Sequence, residues 1–235
     1  MRKPKGKCTY CGAEGVPLER GHVVSKGLYP DSRRTPDLQL ITVPECAACN
    51  RGSSDDEAYF RGVLLLAGEP NEPVKELWKT KIKRSLDEND GPRRAKELVE
   101  RFVPVIVDGQ ERKMIYPGQD ERVIRIIKKI VRGLSHYHRV EDGIDDARIR
   151  ADVLRYSVPG DLWSTGTFYR RGSDIFRYWC KKFEDDEKEL SSVWILTFFD
   201  RREFIAVVDA PNRIWPTLEE RRGIAKNSNA TVGQY

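Results

Sequence analysis

The sequence predicts an α+β protein: a small zinc-clamped module, then helices, then a second α+β domain built on an antiparallel sheet. Three observations lead there. Two C-x-x-C pairs, Cys8/Cys11 and Cys46/Cys49, lie near the N-terminus of a chain with only five cysteines. One long run, DERVIRIIKKIVRGLSHYH, spaces Val123, Ile127, Ile130 and Leu134 at four, three and four, the period of a helix face turned to a core. The C-terminal part holds three short runs rich in β-branched and aromatic residues, DIFRYWCKKF, SVWILTFF and REFIAVVDA.

The elements follow in order, with expected boundaries at 1–68, 69–102 and 103–235. The first segment is rich in Gly, Pro and Cys. Its one clear helix starts near Cys49, in NRGSSDDEAYFRGVLLLAG, with acidic residues in the first turn and Gly68 as a stop. Two charged helical stretches, EPVKELWKTKIKRSL and PRRAKELVERF, are separated by the breaker DENDGP and form a connector. VPVIV and RKMIY flank Asp108-Gly109 as a β-hairpin, and the long helix comes next. The last two β-rich runs are joined by the tight turn DRR, and the three runs form a sheet against that helix. The tail from Pro216 is polar and expected to fray.

Composition narrows the class. Aromatics at 9% are too many for a disordered chain, so the protein should fold. The net charge of +5 sets 42 basic against 37 acidic residues, which permits an anionic partner without demanding one. No run approaches the roughly 18 apolar residues of a membrane helix, and MRKPKGK does not begin a signal peptide. The expectation is a cytoplasmic protein with no membrane association. In a reducing compartment two C-x-x-C pairs read as metal ligands rather than disulfides. Each turn aims two sulfurs at one point, and four thiolates make a closed, structural, tetrahedral Zn²⁺ site. Such an ion contributes on the order of 10 kcal/mol to the folding of a small module. Cys180 is left over and is expected to be a buried thiol.

Between the pairs lies GHVVSKGLYP, with His22, one of three histidines; then LITVPECAACN and SSDDEAYFR. In order and spacing over residues 8–62 these runs resemble the HNH endonucleases, the ββα-metal nucleases, in the version clamped by two C-x-x-C pairs. The resemblance implies an endonuclease that hydrolyses phosphodiester bonds of DNA with Mg²⁺ or Mn²⁺. It makes His22 the general base for the attacking water and Asn50, at the helix start, a ligand of the catalytic metal. Gln39 takes the place of the asparagine that steadies the histidine loop. The chemistry is coherent, because an in-line hydroxide and a cation at the phosphate are what the hydrolysis needs.

One position departs from that pattern. The residue before the histidine is usually an acidic or histidine metal ligand, and here it is Gly21. Three outcomes stay open: Glu19, Asp37 or the run Asp55, Asp56 and Glu57 supplies the carboxylate; the metal relies on Asn50, water and phosphate oxygens; or the site is inactive, a zinc module that binds nucleic acid or a protein partner. The acidic run also has the plain role of stabilising a helix N-terminus. Arg51 and Lys26 are the candidate phosphate contacts, and Arg2, Lys3, Lys5 and Lys7 form a short basic arm. His136 and His138 fall at a helix C-terminus and read as capping or packing groups, and the tryptophans as core or interface residues.

Overall fold

The computed structural model describes residues 3–66, 69–82, 91–114, 117–172, 174–183 and 189–211, and has the expected α+β architecture with antiparallel sheets throughout. The expectations for the breaker at 87–90, for Ile115 and Tyr116, for Trp215 and for the tail from Pro216 lie outside the described residues.

In the N-terminal part, β1 (Lys5–Gly6), β2 (Val16–His22) and β3 (Thr42–Cys46) form a three-stranded sheet in that order. Strand β3 runs directly into α1 (Ala47–Gly52), and α2 (Ser54–Leu66) follows after Ser53. The single helix expected after the second cysteine pair is thus two. The Ser53 hydroxyl donates back to the Cys49 carbonyl at 3.2 Å, while its backbone closes α1 and opens α2.

Helices α3 (Glu72–Leu77) and α4 (Gly91–Val99) occupy the connector, and β4 (Val103–Val107) and β5 (Gln110–Met114) form the expected hairpin. Its turn puts both Asp108 and Gly109 at positive φ, as a two-residue turn matched to strand twist requires. The long helix is α5 (Glu121–Tyr137). Asp120 caps it, its carboxylate accepting from the N–H groups of Arg122 and Val123 at 3.0 and 3.3 Å. At the other end Arg139 takes a left-handed φ of 53°, and the Val140 N–H bonds the Ser135 carbonyl at 2.9 Å, closing the last turn. Val123, Ile127, Ile130 and Leu134 are all buried, as their spacing requires.

The C-terminal sheet has five strands rather than three. Strands β8 (Phe176–Lys182), β9 (Leu190–Phe198) and β10 (Arg202–Asp209) are the three runs read from the sequence; β6 (Ile149–Val153) and β7 (Thr167–Arg171) close its two edges, in the order β6-β10-β9-β8-β7. A one-turn helix, α6 (Gly160–Trp163), precedes β7. The edge strands escape a pattern search because they are short and half-exposed, with Arg150, Asp152, Arg170 and Arg171 interrupting their apolar residues.

The N-terminal module and this sheet share one core, a continuous cluster of buried side chains from Cys8 to Val208. Helix α2 is the wedge between them. Its Phe60 meets Phe198 edge-on at 5.3 Å and Phe204 at 6.1 Å. Helix α5 supports the module from the other side: a Cβ at Gly133 would lie 2.8 Å from both the Tyr10 hydroxyl and Val23, so only glycine lets them approach. Because the core is common, Phe60→Ala is expected to cost about 3–5 kcal/mol and to lower a single unfolding transition of the whole chain. Denaturant unfolding followed by far- and near-ultraviolet circular dichroism checks this; two separate transitions would contradict it.

Candidate functional site

The four cysteines converge. Cys8 and Cys11 belong to a turn that Gly12, at φ 69°, allows to close, with the Gly12 N–H bonding the Cys8 carbonyl at 3.0 Å. Cys46 ends β3 and Cys49 lies one turn into α1. The four Sγ atoms all lie within 4.8 Å of one another, the one such group of metal-binding side chains among the described residues. Burial pushes the Cys8 thiol up, but backbone N–H groups of Cys11, Cys46 and Tyr10 outweigh it and bring its pKa down to about 7. The Cys46 N–H points at the Cys8 sulfur at 3.3 Å. Cys49 is pushed well up, by burial first and then by its sulfur neighbours. A four-sulfur cage in which Cys8 is favoured as a thiolate while Cys49 resists ionising without a cation fits a soft metal ion such as Zn²⁺.

The strand next to the cage carries the remaining candidates, and its two faces differ. Successive side chains in a strand alternate, so Glu19 and Gly21 share one face of β2 while Arg20 and His22 share the other. The register pairs Glu19 with Glu45 and Gly21 with Val43 across β3.

On the first face Asn50 donates its amide N–H to Glu19 Oε2 at 3.0 Å, and Lys3 of the basic arm ion-pairs with the same carboxylate. Of the acidic residues considered for the missing ligand, only Glu19 sits beside Asn50. Asp37 lines a different cleft, Asp56 is held by Arg122 and Arg125 at 2.7 and 2.9 Å, and Glu57 is held by Lys129 at 3.0 Å. Gly21 has a local cause. A Cβ there would lie 1.9 Å from Glu45 Oε2 and 2.8 Å from Glu45 Cβ, so the Glu45 side chain fills the room a residue at 21 would need. Glu45 is fully buried; burial pushes its carboxyl up, against the pull of the Lys129 ammonium 3.0 Å away. Lys129 also donates to Ser53 Oγ at 2.6 Å. A buried ammonium thus stands among Glu45, Glu57 and Ser53.

On the second face His22 opens into a cleft of about 540 Å³ with Arg20, Lys26, Arg34 and Thr42. The Val23 N–H bond to the Ile41 carbonyl, 3.0 Å, extends the β2–β3 pairing past His22 and fixes its backbone. The ring is half-buried, and Nδ1 is shut off from solvent with no hydrogen-bond partner among the described residues, leaving Nε2 as the nitrogen open to a proton. Burial first, then Lys26 and Arg20, hold the imidazole below its ordinary 6.5, so it is neutral at pH 7.

Gln39 does not reach the His22 loop. It is exposed and lines a neighbouring cleft with Tyr137, Arg170 and Arg171, and the backbone pairing just described does the steadying. Lys26 lies in the His22 cleft; Arg51 is exposed on α1, nearer Glu19. His138 is bonded to the Tyr178 hydroxyl at 2.8 Å and His136 to Asp142 at 2.6 Å, a packing group and a helix-end group respectively. Cys180 is buried, which raises its thiol to about 11. Glu45, Lys129 and Arg20 are the residues that sequence reasoning missed. The signal was present in strand parity: LERGH and TVPEC each alternate, which alone places Glu45 on the face of Gly21. A scan against protein-family models finds no match, and searches of curated proteins and of solved structures find none either.

Two outcomes are expected. The purified chain carries one Zn²⁺, and Cys49→Ser loses it together with a large fall in thermal midpoint; zinc content by atomic absorption beside a melting curve decides. Gly21→Ala destabilises by about 1–3 kcal/mol through overpacking against Glu45, whereas Gly52→Ala, with open space at its Cβ, is neutral or stabilising. Denaturant midpoints of the two variants separate these outcomes.

Proposed function

We propose that the chain is a metal-dependent phosphodiesterase of the HNH kind that acts on nucleic acid, with DNA as the substrate to test. The observation that carries this reading is the pairing of Asn50 with Glu19 at 3.0 Å, on the strand whose last residue is His22. Amide and carboxylate oxygens are the hard donors that Mg²⁺ or Mn²⁺ takes, and such ions are often held by one or two protein groups plus substrate phosphate. Glu19 and Asn50 would hold the ion, in place of the ligand that Gly21 lacks; once bound, it supplies charge stabilisation at the phosphate. The family pattern puts ligand and base at adjacent positions, hence on opposite strand faces, and Glu19 keeps the face of position 21.

The chain's own groups have separable tasks. Neutral His22 takes the proton of the attacking water at Nε2. Lys26 and Arg20 hold the phosphate's charge beside it and keep the imidazole from protonating. The cysteine-bound zinc is structural and sets where β3 ends and α1 begins.

A second reading, a nucleic-acid-binding module without turnover, is favoured by Lys129. Its ammonium already neutralises the carboxylate that fills the place of the residue-21 ligand.

Incubation of the full chain with supercoiled plasmid and Mg²⁺ or Mn²⁺ tests the two. Nicking is expected, falling about 10²- to 10⁴-fold in His22→Ala, and falling with a raised metal requirement in Glu19→Gln. Since the imidazole titrates below 6.5, the rate should climb as pH rises toward that value and be level from pH 7 upward. Retention of DNA with no nicking by the native chain would favour the second reading.

A further inference from the structure

The His22 cleft does not end at the module. A second cleft of about 840 Å³ continues from it, and Arg20, Leu38, Leu40 and Thr42 line both. Its far wall belongs to the C-terminal part of the chain: Arg170 and Arg171 from the end of β7, and Tyr137 from the end of α5. The two walls are locked together at Tyr29, which is fully buried; a Cβ on Gly172 would lie 3.1 Å from its ring.

The channel gathers uncompensated positive charge. Among the described residues Arg20, Lys26, Arg170 and Arg171 form no ion pair and Asp37 is the one carboxylate lining the channel, whereas Arg34 is committed to Asp31. Elsewhere arginines are tied down, as Arg148 is to Glu141 and Arg122 to Asp56 and Glu97. Four like charges against a single carboxylate along one groove repel one another until an anion lies there.

Flat rings stand beside these cations. Tyr137 is 46% exposed at the channel wall; Phe168 lines neither cleft but is 58% exposed just past the rim, on the outer face of β7 that also carries Arg170 two residues on. The Trp163 ring stacks on Phe168 at 5.2 Å, so the pair already forms an aromatic platform. Cations interleaved with exposed rings match a polymer that offers phosphates and free base faces together. A duplex hides its base faces in the stack and has nothing to offer the rings.

We propose that single-stranded nucleic acid binds along this channel, from the His22 cleft past Arg20 and Tyr137 to Arg170, and there crosses the rim onto the outer face of β7, with bases on Tyr137 and Phe168, so that the C-terminal sheet supplies half of the binding track. This rests on the nucleic-acid reading above and adds to it a strand preference and a task for β7.

The test is fluorescence anisotropy of the full chain with a labelled oligothymidine, and with a duplex of equal length, in buffer without divalent metal. The single strand should bind more tightly than the duplex. Arg170→Ala should weaken it about fivefold and flatten the slope of log K against log salt by about 0.7, with Arg170→Lys restoring both. Phe168→Ala should weaken it about tenfold and leave that slope unchanged, because stacking releases no counterions. Both side chains are exposed, and circular dichroism verifies that the variants fold. If the native chain binds single strands and both variants match it, the track lies elsewhere and only this proposal fails. Preference for the duplex, or equal displacement of the oligonucleotide by polyglutamate, also overturns it. Binding of neither nucleic acid by the native chain overturns this proposal and the nucleic-acid reading together.

Discussion

Four sulfurs drawn within 4.8 Å are the constraint on which the N-terminal geometry depends. Thiolates at such separations repel unless a cation lies among them, so the turn at Cys8 and Cys11 and the strand-to-helix junction at Cys46 and Cys49 are stable together or not at all. That junction sets the register of β3, which sets β2 beside it: Leu18 opposite Cys46, Glu19 opposite Glu45, His22 opposite Thr42. The candidate side chains on β2, from Glu19 to His22, are therefore placed by backbone pairing that starts at the cage. Asn50, the residue after Cys49, is placed by the same helix turn.

From this follows a division of charge across a single strand. One face of β2 gathers oxygen donors, Glu19 and Asn50, with Glu45 behind Gly21; the other turns Arg20 and His22 toward a cationic cleft. Burial depresses the basicity of the imidazole on one face and of Lys129's carboxylate partner in the opposite sense on the other, as low dielectric favours the neutral form of each. Lys129 comes from α5, a helix that also packs under the sheet, so the electrostatics of the module are partly written more than 80 positions away.

Much of this was legible in the residues themselves. The two C-x-x-C pairs announce the cage, the apolar spacing announces α5, and Asp108-Gly109 announces a hairpin, because each is a local rule with one strong solution. What was not legible depends on non-local packing. The edge strands β6 and β7 exist because β10 and β8 offer them backbone partners, not because their own residues alternate strongly. Gly21, read alone, showed only a missing ligand and left its replacement open; with Glu45 in place it is a steric consequence of a neighbour two positions along the opposite strand. Likewise Gln39 matched by order in the chain yet faces another cleft, since the loop from Val24 to Leu40 is held by Tyr29 and 3₁₀ turns that no motif encodes.

The position of β7 has one more consequence. Among the described residues it is the last strand of its sheet, with no strand beside its outer backbone groups, and an open edge of that kind is an invitation for a second molecule to add itself and begin a stack. Arg170 and Arg171 lie at that rim. Two copies approaching rim to rim would bring like charges together, which opposes stacking of that kind.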